Sequence, residues 1–338
     1  MQVTTLGIDL AKNVVQVHGV DAKGHVVLRK RFSRAKVLPF LAQLPPCLIG
    51  LEASGGAHHW ARELSQQGHT VKLMSPQFVR PYVKNQKNDA NDAEGICEAV
   101  SRPHMRFVPI KSVDQQDIQA LHRIRERQMK ARTALVNQIR GLLAEYGIVI
   151  AQGVSKVRHA LPALLEDADN VLTWHGREWL SALAGELRRL DQHITETEQK
   201  IQRVFERDEA CQRLAQLEGI GPLTATALVA AVGTATTFTN GRQMAAWLGL
   251  VPRQHSSGGK PTLLGISKRG DSYLRKLLIH GARAVIRQVD KKKDPRSRWL
   301  QGVRERRGTN RACVAQANKT ARIAWVLLAK GERYREAA

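Results

Sequence analysis

Three short runs of mostly apolar and β-branched residues, interrupted by polar ones, stand at the start of the chain. These runs cover residues 3–9, 14–20 and 25–32, and the link DAKG (21–24) has the composition of a turn. Runs of this composition on either side of a turn are typical of β-strands, so the pattern predicts a three-stranded meander.

Helical and strand patterns alternate after this meander. In chain order they predict a short helix (35–44), a strand (47–52), a loop running into a helix (53–68), a strand (70–74), a helix (90–101), and a last strand or extended exit (105–110). This order is typical of an α/β domain, and we expect one over residues 1–110.

The middle of the chain has a longer apolar period. Residues 113–146 contain no proline and predict one long helix, whose polar face is basic at Arg123, Arg125, Arg127, Lys130, Arg132 and Arg140. A second long helix is predicted over 178–207, where apolar steps of three and four form a heptad seam through Leu180, Leu183, Leu187, Leu190, Ile194, Thr197, Ile201 and Val204. This coiled-coil seam either packs against the first long helix as an antiparallel hairpin or joins two subunits. We assign residues 111–210 to this helical middle.

The last third of the chain predicts a mostly α domain over residues 211–338. Its helices are expected around a GIGP turn within 214–233, then at 240–249, 271–289 and 315–331, with a glycine- and serine-rich loop at 252–270. The turn in LEGIGPLTA is similar to a helix-hairpin-helix, in which backbone N–H groups of Gly219 and Gly221 would meet a DNA phosphate. An ordinary connection between two helices is the alternative.

Charge changes this picture by indicating a partner. The chain carries 53 Lys and Arg against 30 Asp and Glu, a formal net charge of +23. That excess favours a polyanion, and nucleic acid is the usual one. Aromatic residues make up only 5%, so contacts to the sugar-phosphate backbone should dominate over base stacking.

Other sequence features bound the location of the protein. Four scattered cysteines show no paired spacing, which argues against a zinc site or a disulfide framework. The N-terminus MQVTTLGIDLAK does not resemble a signal peptide, and no run of 18 apolar residues predicts a membrane span. These features favour a reducing cytoplasm.

Four acidic residues form the main candidate site. Asp9 and Glu52 end predicted strands, and Asp89 and Asp92 lie three apart at the start of a predicted helix. Four carboxylates could hold Mg²⁺ ions that clamp a phosphodiester. Each acid alone could instead form a turn or cap the helix. Lys84 and Lys87, just upstream, could touch a phosphate or be solvated charges.

The glycine- and serine-rich loop is the second candidate. Ser256 and Ser257 lie in QHSSGGK beside Arg253, His255 and Lys260, and ISKRGD adds Lys268 and Arg269. A serine can attack phosphorus when cations neutralise the phosphate. The spacing alone fits a flexible loop equally well, and the role of His255 stays open.

Sugar kinases of the actin-like type share the opening strand that ends in GID. They also need a second glycine-rich phosphate loop on a later strand pair, which this chain lacks, and the basic C-terminal half has no role in such a kinase.

The ordered motifs resemble one known family. GIDLAK, LEAS, KNDANDA, LEGIGPLTA, WLGLVPRQHSSGGK and GISKRGDSYLRKLL together look like the DEDD transposases of bacterial insertion sequences, over about residues 5–290. The resemblance implies a RuvC-like RNase-H fold, Mg²⁺ at the four acids, and a serine that links covalently to DNA. It points to Ser257, with Ser256 as the neighbouring possibility. It also implies a structured non-coding RNA that bridges donor and target DNA, and a cytoplasmic, nucleoid-associated location in bacteria.

Two other functions remain open. One is a metal-dependent junction resolvase or nuclease that uses water, and the other is a nucleic-acid-binding protein without catalysis. The acids and Ser257 lie more than 160 residues apart in sequence. We therefore expect a dimer or tetramer in which they meet across a subunit interface.

Overall fold

A computed structural model describes residues 2–84 and 88–334 of the 338-residue chain. The chain divides into two compact units, Met1–Ser112 and Val113–Ala338. The further division of the second unit at residue 210 stays a prediction. Lys87 lies outside the described residues.

The first unit is built on a mixed sheet of six strands. In chain order its elements are β1 (Thr5–Leu10), β2 (Val14–Val20), β3 (Val26–Ser33), α1 (Arg34–Leu41), β4 (Leu48–Glu52), α2 (Ala57–Gln66), β5 (Thr70–Met74), α3 (Pro76–Val79), a 3₁₀ turn (Arg80–Tyr82), α4 (Asp89–Val100) and β6 (Phe107–Val108). The strand order is β3-β2-β1-β4-β5-β6. The predicted antiparallel meander is confirmed, and β4 and β5 continue it in parallel. The short strand β6 pairs with β5 in the antiparallel direction and forms one edge of the sheet.

Helices cover both faces of this sheet. The main core joins Ile8 and Val17 to Val37 of α1 and Trp60 of α2. On the opposite face α4 packs directly on β1, where an added Cβ on Gly7 would lie 2.1 Å from the Ala93 carbonyl oxygen. The N-terminal half therefore has the layered α/β architecture that its sequence predicts.

The second unit begins with three helices, α5 (Val113–Ala144), α6 (Val154–Glu166) and α7 (Trp174–Arg207). The helices α5 and α7 are antiparallel, because Arg125 donates to Glu198 at 2.8 Å while Arg132 donates to Asp191 at 3.0 Å. The antiparallel hairpin expected as one arrangement of the two long helices is thus present. Coiled-coil supercoiling and association between subunits stay predictions. The helix α6 was not predicted from the sequence, because it carries an internal proline and no heptad pattern.

The rest of the second unit is mostly helical. It comprises α8 (Glu209–Ala215), α9 (Pro222–Val232), α10 (Gly241–Trp247), β7 (Pro252–Gln254), β8 (Leu263–Ile266), α11 (Ser272–Gln288), a 3₁₀ turn (Val289–Lys291), α12 (Pro295–Arg307) and α13 (Thr309–Ala329). All four cysteines of the chain are buried and free. Across residues 2–84 and 88–334, no helix is both long and apolar enough to cross a membrane.

One prediction for this unit is wrong. Residues 252–270 are not a simple loop, because β7 and β8 pair as an antiparallel hairpin within them. Nearly every residue of the hairpin is exposed, so neither face shows the alternation that marks a strand in sequence.

Candidate active site

Asp9 and Glu52 lie on neighbouring parallel strands. In the pairing of β1 with β4, Ile8 is opposite Leu51, so the register brings Asp9 and Glu52 next along the two strands. Glu52 is the last residue of β4 and Asp9 the last but one of β1. Both side chains are half-buried. Since parallel neighbours in register face the same side, these two carboxylates share one end and one face of the sheet.

The helix α4 brings Asp89 and Asp92 to the same end. It runs antiparallel to β1, because Cys97 lies against the Thr5 carbonyl oxygen at 3.7 Å while Gly7 contacts the preceding turn. From Gly7 to Asp9 the strand advances about 6.6 Å, the length of about four helical residues, which leads from Ala93 back to the start of α4. Asp9 is therefore level with the first turn of α4, which carries Asp89 and Asp92.

Two glycines make this close packing possible. A Cβ on Gly7 would overlap backbone atoms of α4, and a Cβ on Gly50 would lie 2.8 Å from Cβ of Val100. Each glycine stands two residues before an acid of the site, Gly7 before Asp9 and Gly50 before Glu52. Glycine at that spacing is a sequence signal that could have indicated a helix packed closely on these two strands.

Helix capping does not account for Asp89 and Asp92. The N-cap of α4 is Asn88, whose side chain accepts a hydrogen bond from the Asn91 N–H at 2.8 Å. Asp89 is exposed and Asp92 half-buried, and neither forms an ion pair with any residue in 2–84 or 88–334. The acids further along α4 differ, since Glu98 pairs with Lys84 at 3.4 Å. Lys84 is thus engaged on the side of α4.

Carboxylates suit a hard cation such as Mg²⁺, so the donor chemistry of this edge fits the expected metal. Suitable donor atoms do not by themselves make an assembled metal centre. Among the described residues, no three His, Cys, Asp or Glu side chains are grouped so as to hold a metal ion. We call Asp9, Glu52, Asp89 and Asp92 the acid edge.

The second candidate is the tip of the β7–β8 hairpin. Ser257 and Lys260 face each other across Gly258 and Gly259, and the Lys260 N–H donates to the Ser257 carbonyl oxygen at 3.1 Å. Both glycines have positive φ, at 55° and 74°, as a two-residue hairpin turn requires. This Gly-Gly pair is the signal that could have identified the hairpin from sequence.

The two serines differ in their surroundings. The Ser256 hydroxyl oxygen accepts hydrogen bonds from the side chain of Gln254 at 2.9 Å and from the Thr262 N–H at 3.2 Å. The Ser257 side chain is exposed at the turn and makes no side-chain hydrogen bond with the part of the chain that the structure describes. Ser256 therefore holds the hairpin together, while Ser257 is accessible to an incoming group.

Four cations accompany the hairpin. Arg253 and Lys260 lie on it, and Lys268 and Arg269 follow it, all exposed. Lys268 has a positive φ of 54° and its N–H donates to the Gly249 carbonyl oxygen at 3.2 Å. The strained backbone is thus fixed by hydrogen bonding beside the hairpin.

A buried polar network supports the helix that follows. Asp271 caps α11, and the Tyr273 hydroxyl and Thr226 hydroxyl hydrogen-bond the two ring nitrogens of His122 at 2.9 and 3.0 Å. Burial, with a smaller effect of nearby Arg125, lowers the pKa of His122 to about 4. The network joins α5, α9 and α11.

The GIGP turn lies between α8 and α9. Gly219 has a φ of 87°, and its backbone packs against α11, where a Cβ on Gly219 would lie 2.8 Å from the Gly281 carbonyl oxygen. Gly221 is the N-cap of α9 and is exposed, with open space where a Cβ would be. Gly221 is therefore accessible to a phosphate and Gly219 serves packing. The helix-hairpin-helix assignment stays a prediction.

Two family models match the chain. Residues 6–148 match a model described as transposase, of the DEDD type of IS110 elements, and residues 211–298 match the transposase IS116/IS110/IS902 family. A probable family 20 transposase of Pseudomonas aeruginosa is 54% identical, with 99% of each chain covered. The transposase for insertion sequence element IS1111A of Coxiella burnetii is 49% identical, covering 98% of this chain and 91% of its own length. The transposase for insertion sequence element IS1328 of Yersinia enterocolitica is 43% identical, covering 97% of this chain and 98% of its own length.

Proposed function

The chain belongs to the IS116/IS110/IS902 family of insertion-sequence transposases, enzymes that cut and rejoin DNA, and from that premise we propose how it does so. The acid edge binds Mg²⁺, and Ser257 is the nucleophile that links the protein to the cut strand. The first unit has a RuvC-like RNase-H fold, which is supported by its antiparallel meander continued by two parallel strands.

The position of the four acids at one end of the sheet supports the metal part of the proposal. Asp9, Glu52, Asp89 and Asp92 come from three separate elements, yet register and helix packing bring them to the same level. Mg²⁺ bound there would neutralise phosphate oxygens and polarise the phosphodiester. The four carboxylates bind and orient that ion.

The serine part of the proposal is a transesterification. The Oγ of Ser257 forms a bond to phosphorus while the bond between phosphorus and one deoxyribose oxygen breaks. The hydroxyl proton leaves to solvent or a base, and the released oxygen takes up a proton. A hydroxyl of another strand then attacks the same phosphorus and frees the serine, so the number of phosphodiester bonds is conserved. Both serines are exposed, but the Ser256 hydroxyl already accepts two hydrogen bonds within the hairpin, which supports Ser257 for this role.

Charge supports the proposed assembly. Residues 252–270 contain no acid, and Arg253, Lys260, Lys268 and Arg269 make the hairpin region positive, in contrast to the acid edge. We propose that the hairpin of one copy and the acid edge of another act on one phosphodiester, in a dimer or tetramer. A structured guide RNA that bridges donor and target DNA is the further partner we propose, supported by the net charge of +23.

Three variants test the mechanism against its alternatives. Ser257→Ala is expected to abolish strand exchange, whereas a nuclease that uses water would keep cutting. Ser256→Ala is the matched control, since it removes the adjacent hydroxyl and should retain exchange. Asp9→Ala is expected to abolish cleavage, and unchanged recombination would support a protein without metal catalysis. Mixing Ser257→Ala with Asp9→Ala chains should restore activity if two copies share the site, and no recovery would contradict that sharing.

A further inference from the structure

The acid edge continues across the sheet as a row of polar side chains. Asp9 on β1 is paired with Gln16 on β2, and Gln16 is paired with Arg31 on β3. Residues directly opposite each other in neighbouring strands point to the same face. Gln16 and Arg31 therefore stand on the face that carries Asp9 and Glu52, with Arg31 two strands away from Asp9.

The preceding row differs because α4 covers it. There Gly7 is paired with His18 and His18 with Arg29. His18 is only 3% exposed, and Arg29 is neutralised by Glu94 of α4 at 2.8 Å. In the Asp9 row, by contrast, Gln16 is half-buried and Arg31 is exposed. Arg31 makes no ion pair with any residue in 2–84 or 88–334, so its charge is available to a ligand.

Arg31 also lines a groove on the outer edge of the sheet. The groove, about 520 Å³, lies between β3 and α1 and contains Lys30, Lys36 and Phe40. The Lys30 ammonium lies 5.1 and 5.4 Å from the ring centres of Phe32 and Phe40, which hold it in place by cation–π attraction. Three cations and no acid line this groove.

The sequence around the groove has an unusual charge pattern. Residues 22–51 include no Asp or Glu, yet they carry six cations, Lys23, Arg29, Lys30, Arg31, Arg34 and Lys36. Lys30, Arg31 and Lys36 of this segment line the groove, so the potential there is positive, two strands away from Asp9. A positive surface near the acid edge is needed, because carboxylates by themselves repel a phosphate chain.

We propose that the DNA strand being cut leaves the acid edge over Gln16 and Arg31 and enters this groove, where Lys30 and Lys36 bind its phosphates. Gln16 hydrogen-bonds a backbone oxygen next to the scissile phosphate, and Arg31 binds the following phosphate. These interactions position the strand and carry no sequence information. The inference rests on the proposed function for its substrate, and its recognition chemistry is the phosphodiester backbone.

The first test is the salt dependence of binding by the full-length chain. The probes are a DNA duplex of about 30 base pairs and an RNA hairpin of similar length. The slope of log affinity against log salt falls by about 0.9 for each phosphate that the protein no longer neutralises. We expect a slope smaller by about 1 for Arg31→Ala and by about 2 for Lys30→Ala with Lys36→Ala.

The matched control is Lys23→Ala. Lys23 is exposed and lies in the same acid-free segment, but it sits in the turn between β2 and β3, at the opposite end of these strands. It removes the same charge and should leave the slope unchanged. Equal slopes for Arg31→Ala and Lys23→Ala would overturn the proposal. An effect on the RNA hairpin as large as that on DNA would overturn the assignment to the cut DNA strand.

The second test locates the Arg31 interaction on the DNA. Single uncharged methylphosphonates are introduced in turn along the cleaved strand, and binding is measured for the wild-type and Arg31→Ala chains. One methylphosphonate beside the cleavage site should weaken the wild type and have no further effect on Arg31→Ala. Independent decreases in affinity for the two changes at every position would contradict the interaction.

These tests separate the inference from the proposed function. If the wild type cleaves DNA through Ser257 while the Arg31 and lysine variants keep the wild-type slope, the groove is not on the DNA path and the mechanism stands. If the slopes fall as expected while the chain forms no serine adduct, the DNA path stands and the serine mechanism fails.

Discussion

Replacing Gly7 with alanine is expected to push α4 away from the sheet. The new Cβ would lie 2.1 Å from the Ala93 carbonyl oxygen and 2.3 Å from the Cys97 nitrogen. Both are backbone atoms of a helix, so no side-chain rotation can relieve the overlap. Restoring an ordinary contact requires α4 to move by about 1 Å or the strand to bend.

The size of the effect follows from this overlap. Overpacking of a core costs about 1–3 kcal/mol. One kcal/mol corresponds to about 4 °C in a unit of this size, so calorimetry should show the first unit melting ~4–12 °C lower. A displacement of about 1 Å near reacting groups can slow a reaction ~10²-fold, and we expect strand cleavage to fall by that order because Asp89 and Asp92 move with α4.

Gly55→Ala is the matched control in the same unit. A Cβ on Gly55 would meet no heavy atom within 4 Å, so stability should change by no more than about 0.5 kcal/mol. Equal melting temperatures for the Gly7 and Gly55 variants would refute the close packing of α4 on β1. That result would also remove the evidence that Asp89 and Asp92 lie at the same height along β1 as Asp9.

Three further predictions concern stability and metal binding. The pKa of His122 is about 4 when folded and 6.5 when unfolded. The free energy of unfolding therefore has its full value above pH 6.5 and falls by up to ~3 kcal/mol as the pH drops towards 4. Urea unfolding of His122→Gln should lack that part of the pH dependence. Gly281→Ala, with a Cβ 1.9 Å from a backbone oxygen, should destabilise the second unit in calorimetry. Gly185→Ala, whose Cβ would meet only the ends of the Arg188 and Arg189 side chains at 3.6 Å or more, should stabilise it by ~0.5–1 kcal/mol. The opposite order of the two variants would contradict the packing. Mg²⁺ at about 100 times its Kd should stabilise the protein by ~2.7 kcal/mol in the wild type and in the surface control Glu63→Gln but not in Asp9→Ala; equal stabilisation of all three would exclude binding at Asp9.

Much of the first unit could be predicted from its sequence. The meander is predictable because its runs are rich in β-branched residues and a turn-forming link separates two of them, and both are local features of the sequence. Asp9 and Glu52 could be assigned to strand ends for the same reason. Their grouping with Asp89 and Asp92 is an expectation from the family resemblance. The contact of α4 with Gly7, which brings Asp89 and Asp92 level with Asp9, depends on tertiary packing that the local sequence pattern does not record.

The second unit was less predictable at its functional end. The β7–β8 hairpin is exposed on both faces, and strands without a buried face leave no apolar period in the sequence. Similarly, the difference between Ser256 and Ser257 depends on hydrogen bonds from Gln254 and Thr262, which exist only once the hairpin forms. The N-cap of α4 is Asn88 and not Asp89 or Asp92. The sequence alone does not decide between them, because Asn and Asp are equally suitable caps.

The most direct test of the mechanism is to trap the covalent protein–DNA adduct and map it by mass spectrometry. The full-length chain is incubated with Mg²⁺, its DNA and the proposed guide RNA, denatured during the reaction, and digested with protease and nuclease. The proposed mechanism predicts a nucleotide attached to the peptide at Ser257, and no adduct from Ser257→Ala. An adduct on Ser256, or cleaved DNA with free ends and no adduct, would contradict it.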